Sequence, residues 1–188
     1  MLEFLTNNKL LCIGDSITFS YEMQEDKKWI TLLSKALGLE IINSGVNGDT
    51  TAGMLGRFDN AINVHKPTHT IITGGTNDLW FGLKDETIIA NIFTMARQAK
   101  FRDIIPIIGI PPSTINLNEL NFLQEDFAEC VRSFQNTLLN FCKEKEILTI
   151  DFSKNMSINH YMEDGLHINE AGQNIMAINA AAILSKIM

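Results

Sequence analysis

The sequence predicts an α/β fold in which a five-stranded parallel sheet, ordered 2-1-3-4-5, carries helices on both faces. Three observations predict it. Short apolar runs alternate five times with longer segments whose apolar residues recur at three- and four-residue steps, the pattern of a strand and helix repeat. The run Asp103 to Ile110 is apolar almost throughout, which suits a strand covered on both faces. No period of about 20 to 50 residues recurs, so a solenoid or propeller is not indicated. Right-handed crossovers then bring the carboxyl end of every strand to one rim, where open α/β folds place their ligands.

The first strand is Lys9-Leu10-Leu11-Cys12-Ile13, closed by Gly14 and followed by Asp15-Ser16-Ile17-Thr18. Lys28 to Leu37 sets Trp29, Ile30, Leu33 and Leu37 at helical spacing, and Gly38 stops it. Glu40 to Asn43 is the second strand, leading into the Gly-rich loop Ser44 to Gly48. Asp49 or Thr50 caps the next helix, which carries Met54, Leu55, Phe58 and Ile62, and Pro67 closes the connection. Thr70 to Thr73 is the third strand, broken by Gly74-Gly75 and followed by Thr76-Asn77-Asp78. A helix over Asp85 to Lys100 and the fourth strand lead to Pro111-Pro112. Ser113 to Gln124, with Leu117, Leu120, Phe122 and Leu123, is longer than the usual connection and reads as a lid, a pocket wall or an extra helical turn. A helix from about Asp126 to Glu144, a strand Ile147 to Asp151, a loop Ser153 to His167 and a final helix Glu170 to Met188, capped by Asn169, complete the chain.

A length of 188 residues suits one domain, 1–188, whose core buries roughly 70% of the unfolded surface. The net charge of -7, with no basic cluster, argues against nucleic acid or an anionic membrane as main partner and leaves small molecules or neutral polymers. The 3 cysteines, Cys12, Cys130 and Cys142, are an odd number without close pairing, which fits a reducing compartment. The stretch Met1 to Asn8 does not have the form of a signal peptide, and no apolar run approaches the roughly 20 residues of a membrane span, so a cytoplasmic protein is expected. No metal is expected, because no Cys-x-x-Cys or acidic cluster occurs and His65 and His69, four residues apart, flank Pro67 and so do not share a helix face. No cofactor is expected either, since Gly-x-Gly-x-x-Gly and P-loop patterns are missing. Oligomeric state is not legible in apolar patterning.

Reactive residue types follow the strands. Ser16 comes after the first, Gly48 after the second, Asn77 after the third, and Asp164-Gly165-Leu166-His167 after the fifth. By itself Gly14-Asp15-Ser16 is also an ordinary turn with an N-cap, but the set together supplies the parts of a serine hydrolase. Ser16 is a weak nucleophile unless His167 accepts its proton, and Asp164, three residues before His167, can orient the imidazole if the segment turns. A backbone carbonyl is the other candidate for that orienting role. The N–H groups of Ser16 and Gly48 and the side-chain amide of Asn77 form the candidate oxyanion hole.

These blocks resemble those of the SGNH hydrolases, also called the GDSL esterase and lipase family, over nearly the whole chain. Gly14-Asp15-Ser16 is similar to the nucleophile block, Gly48 to the oxyanion glycine, Gly75-Thr76-Asn77-Asp78 to the Gly-x-Asn-Asp block, and Asp164-x-x-His167 to the terminal block. The resemblance implies a flavodoxin-like three-layer fold, metal-free hydrolysis of esters or thioesters through an acyl-enzyme, and loop-bracing roles for Asp15 and Asp78. A small or medium acyl ester is the expected substrate. A thioester, a lysophospholipid or an acetylated carbohydrate stays open within the family, and a non-catalytic flavodoxin-like module stays open outside it.

The sequence departs from the family pattern at Phe19 and Ser20, where glycines often stand, and at Ile168, where proline often follows the histidine. Phe19, Tyr21, Leu79, Trp80, Ile110 and Pro111 are expected to shape the substrate pocket, the alternative being that such residues simply pack into the core. Thr50, in Gly48-Asp49-Thr50, echoes the nucleophile block, but a capping role accounts for it. His65 and His69 flank Pro67 on the opposite rim and His160 has no carboxylate three residues before it, so all three read as surface or satisfied polar histidines.

Overall fold

The computed structural model describes residues 8–115 and 118–188. The expectations for the N-terminal stretch up to Asn7 and for Leu117 therefore lie outside the described residues. Five strands, β1 (Lys9–Gly14), β2 (Glu40–Gly45), β3 (His69–Thr73), β4 (Ile105–Ile110) and β5 (Leu148–Asp151), form one parallel sheet in the order β2-β1-β3-β4-β5. The helices are α1 (Ser16–Phe19), α2 (Trp29–Leu37), α3 (Thr51–His65), α4 (Thr76–Trp80), α5 (Asp85–Phe101), α6 (Phe127–Glu144) and α7 (Glu170–Leu184).

The strand side chains alternate between two cores, because successive residues of a strand point to opposite faces. Leu11, Ile13, Ile72 and Ile108 pack with Met54 and Phe58 of α3, Ile88 and Ile92 of α5, and Val131 and Phe134 of α6. Leu10, Cys12, Ile71, Ile107 and Ile150 pack on the other face with Trp29 and Leu33 of α2 and Met176, Ala180 and Leu184 of α7. β1 is buried on both faces, which explains why it reads as a continuous apolar run rather than an alternating one.

Helix ends follow the side-chain chemistry at their boundaries. Thr50, rather than Asp49, caps α3 by accepting the Gly53 N–H at 3.3 Å, while Asp126 and Asn169 accept the Glu129 and Gly172 N–H groups at 3.0 and 3.1 Å. α7 ends at Leu184, short of the expected Met188, with Ser185 as its cap. Ser113 to Gln124 forms no extra helical turn among its described residues. Asn121 organises it instead: its Oδ1 accepts the Leu123 and Glu125 N–H groups, and its Nδ2 donates to the Leu79 carbonyl.

Register sets the functional rim. Gly14 lies opposite Gly45 on one side and Thr73 on the other, Thr73 lies opposite Gly109, and Ile110 lies opposite Asp151. The strands therefore end level, and the segments carrying Ser16, Gly48, Asn77 and His167 leave one edge. Gly14 is required there: a Cβ would stand 2.5 Å from the Thr73 carbonyl oxygen.

Candidate active site

Ser16 opens α1 directly after the turn at Gly14-Asp15. Asp15 caps this single turn, its Oδ1 accepting the Ile17 N–H at 2.9 Å, and the Trp29 indole donates to the Ile17 carbonyl at 3.2 Å. The first N–H groups of a helix have no acceptor within it, so the Ser16 N–H is available to a ligand.

His167 arrives from the far end of the chain. Tyr161 and Ile168 form an antiparallel bridge, and the Met162 N–H donates to the His167 carbonyl at 2.8 Å, so Asp164 to His167 is the tip of a small closed loop. At that tip Asp164 Oδ1 accepts the Leu166 and His167 N–H groups, both at 2.9 Å, and Asp164 Oδ2 lies 2.6 Å from His167 Nδ1. His167 Nε2 lies 3.1 Å from Ser16 Oγ. A carboxylate, an imidazole and a hydroxyl thus form one unbroken line across 151 residues of sequence.

Gly48 adopts φ +74, the left-handed region that glycine enters without steric cost, and a Cβ there would meet nothing within 4 Å. Its backbone conformation, not crowding, asks for glycine. The loop around it is tied to β1 by the Val46 N–H, which donates to the Gly14 carbonyl at 3.0 Å. Asn77 donates from Nδ2 to the Asp49 carbonyl at 2.9 Å, which leaves a second N–H on the same nitrogen.

Comparison with known proteins fits this arrangement. The family model of the GDSL-like lipase/acylhydrolase family matches residues 12–175. The chain belongs to that family. This GDSL-like acylhydrolase is 26% identical over 188 residues to an arylesterase of Vibrio mimicus, covering 96% of this chain and 90% of the relative. It is 32% identical over 112 residues to esterase TesA of Pseudomonas aeruginosa, covering 55% and 56% of the two chains. Among solved structures, the M. smegmatis aryl esterase superposes with a TM-score of 0.85 at 17% identity, over 96% of this chain and all (100%) of the other, and shows the same fold. The chain is therefore an ester-bond hydrolase.

The other residues expected in the pocket of this GDSL-like acylhydrolase divide by their surroundings. A cavity of about 240 Å³ lies beside the triad, lined by Thr76, Asn77, Trp80, Glu119, Phe127, Asp164 and Leu166. Trp80 is thus on its wall, whereas Leu79 and Ile110, 4% and 2% exposed, belong to the core. The reason is α4. Thr76 to Trp80 is a helix rather than a loop, so Leu79 turns inward while Trp80, about 100° further round, faces the cleft. Pro111 lies buried, with its carbonyl accepting the Gln135 side chain at 2.7 Å, and the Phe19 ring lies 4.8 Å from the Lys28 ammonium. Tyr21 stacks on His167. A larger groove of about 530 Å³, bordered by Leu79, Asp85, Asn121 and Cys130, contains no member of the triad.

Thr50 is committed to its cap, His69 is buried at the opposite end of the sheet from Ser16, and His160 Nδ1 accepts the Ser157 N–H at 2.8 Å. Among the described residues no group of three or more His, Cys, Asp or Glu could hold a metal ion, and no helix is long and apolar enough to cross a membrane.

Sequence reading passed over Arg57. Its guanidinium donates from Nε to Asp49 at 2.8 Å, from Nη1 to Ser44 Oγ at 2.8 Å and from Nη2 to the Gly14 carbonyl at 3.0 Å. One side chain therefore ties together the loops after β1 and β2, and through Asp49 it reaches Asn77. No i,i+3 or i,i+4 pairing announces it, because Asp49 precedes α3 and stands eight residues before Arg57. Asp78 braces the same region by accepting the Thr51 N–H and hydroxyl, the latter at 2.6 Å.

The electrostatics separate the carboxylates. Burial raises the Asp164 carboxyl, but hydrogen bonds from the His167 ring and from the Leu166 and His167 N–H groups outweigh it and leave the group below its ordinary value, so it is an anion beside the imidazole. Asp15 is 1% exposed, and its burial, reinforced by nearby Asp78 and Asp49, pushes it up to about 7. Between about pH 4 and pH 7 the unfolded chain is ionised at Asp15 while the folded one holds the proton, so this group makes stability fall as pH rises through that window. Asp15→Asn, which keeps an acceptor for Ile17, removes the titration. Thermal unfolding is expected to show the variant gaining on the wild type by a few kcal/mol between about pH 4 and pH 8; parallel stability profiles would contradict it.

Proposed function

We propose that this GDSL-like acylhydrolase is a serine esterase that cleaves small or medium-chain carboxylic esters through an acyl-enzyme on Ser16, with residues 1–188 acting as one domain. The observation that carries the reading is the line from Asp164 Oδ2 to His167 Nδ1 at 2.6 Å and from His167 Nε2 to Ser16 Oγ at 3.1 Å. Ser16 Oγ attacks the ester carbonyl as His167 Nε2 takes its proton. The developing oxyanion accepts from the Ser16 and Gly48 N–H groups and from the second N–H of Asn77 Nδ2. His167 then protonates the leaving alcohol, and a water activated by the same imidazole attacks the acyl carbonyl and frees Ser16. Asp164 accepts from Nδ1–H throughout, which keeps Nε2 free to act as base.

The cavity beside the triad supports a compact, uncharged substrate. Trp80, Phe127 and Leu166 supply apolar wall, while Glu119 and Asp164 bring carboxylates and, among the described residues, no Lys or Arg lines it. An acyl or aryl group fits these walls, and a substrate carboxylate is repelled by them. A panel of nitrophenyl esters of increasing chain length, with a phenyl thioester and a hemiglutarate ester, tests the reading. Short and medium neutral esters are expected to turn over best, the hemiglutarate about tenfold more slowly than the butyrate. No turnover of any ester, or the hemiglutarate cleaved faster than the butyrate, would contradict it.

A further inference from the structure

The two hydrogen bonds of His167 lie at its ring edges and leave its faces to other contacts. One face is covered: the Tyr21 ring centroid stands 4.4 Å from that of His167, with 34° between the planes. Tyr21 is also fixed to the nucleophile, since its N–H donates to the Ser16 carbonyl at 3.1 Å. A half-buried tyrosine therefore spans from the element that carries Ser16 to the ring that serves it.

The backbone around Tyr21 is costly to build. Ser20 has φ +64 and Glu22 has φ +55, so two non-glycine residues in the left-handed region bracket the tyrosine. Ser20 is in addition buried, and its hydroxyl has no hydrogen-bond partner among the described residues. Two strained residues and an unsatisfied hydroxyl persist where the surrounding structure over-determines the conformation, and such sites cluster where geometry serves function. Here the conformation aims one aromatic ring at one imidazole.

We infer that Tyr21 is a positioning residue for His167, its ring holding the imidazole in the plane of the triad and favouring the imidazolium that forms as Ser16 attacks. The inference rests on the proposed esterase mechanism. A hydrogen bond to a carboxylate tolerates rotation about its own axis, so the edge contacts with Asp164 and Ser16 leave the ring a swinging motion that a face contact restricts. The negative face of an aromatic ring also attracts a cation, and His167 becomes one only when it has taken the Ser16 proton, so the attraction acts on the transition state more than on the resting enzyme. The charged groups around the pair are Asp164, bonded to the far edge of the imidazole, and Glu22, beside the phenol. Glu22 pushes the Tyr21 phenol up from its ordinary value, which keeps it neutral.

A pocket-wall role for Tyr21 predicts different kinetics, because a wall contributes to substrate binding and varies with the substrate. Tyr21→Phe and Tyr21→Leu are to be compared on p-nitrophenyl acetate, together with inactivation by diethyl p-nitrophenyl phosphate, whose rate reports attack by Ser16. Tyr21→Leu is expected to lower kcat and the inactivation rate together by about five- to tenfold with KM changed less than about twofold, and Tyr21→Phe to restore both. Should the Leu variant fail to fold, Tyr21→Met, also apolar and without a ring, serves the same comparison. A rise in KM alone, an unchanged rate, or Phe no better than Leu would overturn the inference. Failure of the esterase reading is separate and appears as a wild-type protein inactive on every ester.

Discussion

Ser16→Ala is expected to reduce ester turnover by about 10⁴ to 10⁶, with folding and substrate binding retained. The size of the loss follows from the mechanism, in which the acyl group is carried by Oγ, and a methyl group offers no substitute. What remains is the rate that the oxyanion donors and binding provide to a water, which in comparable triads is about 10³ to 10⁴ above the uncatalysed reaction. The side chain of Ser16 contributes a hydrogen bond to His167 and nothing to either core cluster, so its loss leaves the fold intact. Steady-state kinetics with p-nitrophenyl acetate, alongside a thermal melt, measure both parts. A variant within about tenfold of the wild type would remove Ser16 from the chemistry.

Asp164→Asn is expected to cost about 10⁴ in turnover, and the local geometry says why. Oδ1 is held by two backbone N–H groups, those of Leu166 and His167. An asparagine in that place keeps its oxygen toward those donors and turns its amide nitrogen toward His167 Nδ1. The imidazole then accepts at Nδ1 and carries its proton on Nε2, the tautomer that cannot take a proton from Ser16. A loss below about tenfold in kcat would show that the imidazole is oriented without the carboxylate, and the site would then be a Ser-His dyad.

Much of the architecture was legible because the determinants are local. Continuous apolar runs of β-branched residues, such as Ile71-Ile72 and Ile107-Ile108, announce strands covered on both faces, and the segments after β1, β2, β3 and β5 carry the reactive residue types. The elements that escaped are short. α1 and α4, with 4 and 5 residues, complete too little of a helical period to leave a pattern, yet α4 decides that Leu79 faces the core and Trp80 the cleft. Arg57 escaped for a different reason: its three hydrogen-bond partners, Asp49, Ser44 and the Gly14 carbonyl, lie at the ends of two different strands and in the loop after β2, which meet only once the sheet has formed. Glu119 reaches the cavity wall through the packing of a loop organised by Asn121, a contact that no periodicity encodes. Tyr21 could be placed near the site from its position after Ser16, but its stacking on His167 depends on the left-handed turn at Ser20, where the family pattern favours glycine and this chain has serine.

The central claim is that Ser16 is the activated nucleophile, and covalent capture tests it most directly. Treating the protein with a fluorophosphonate and mapping the modified peptide is expected to show one equivalent of label, on Ser16, with esterase activity lost in step and labelling abolished in His167→Ala. Label on Thr50 or another hydroxyl, or full esterase activity with Ser16 unmodified, would contradict it.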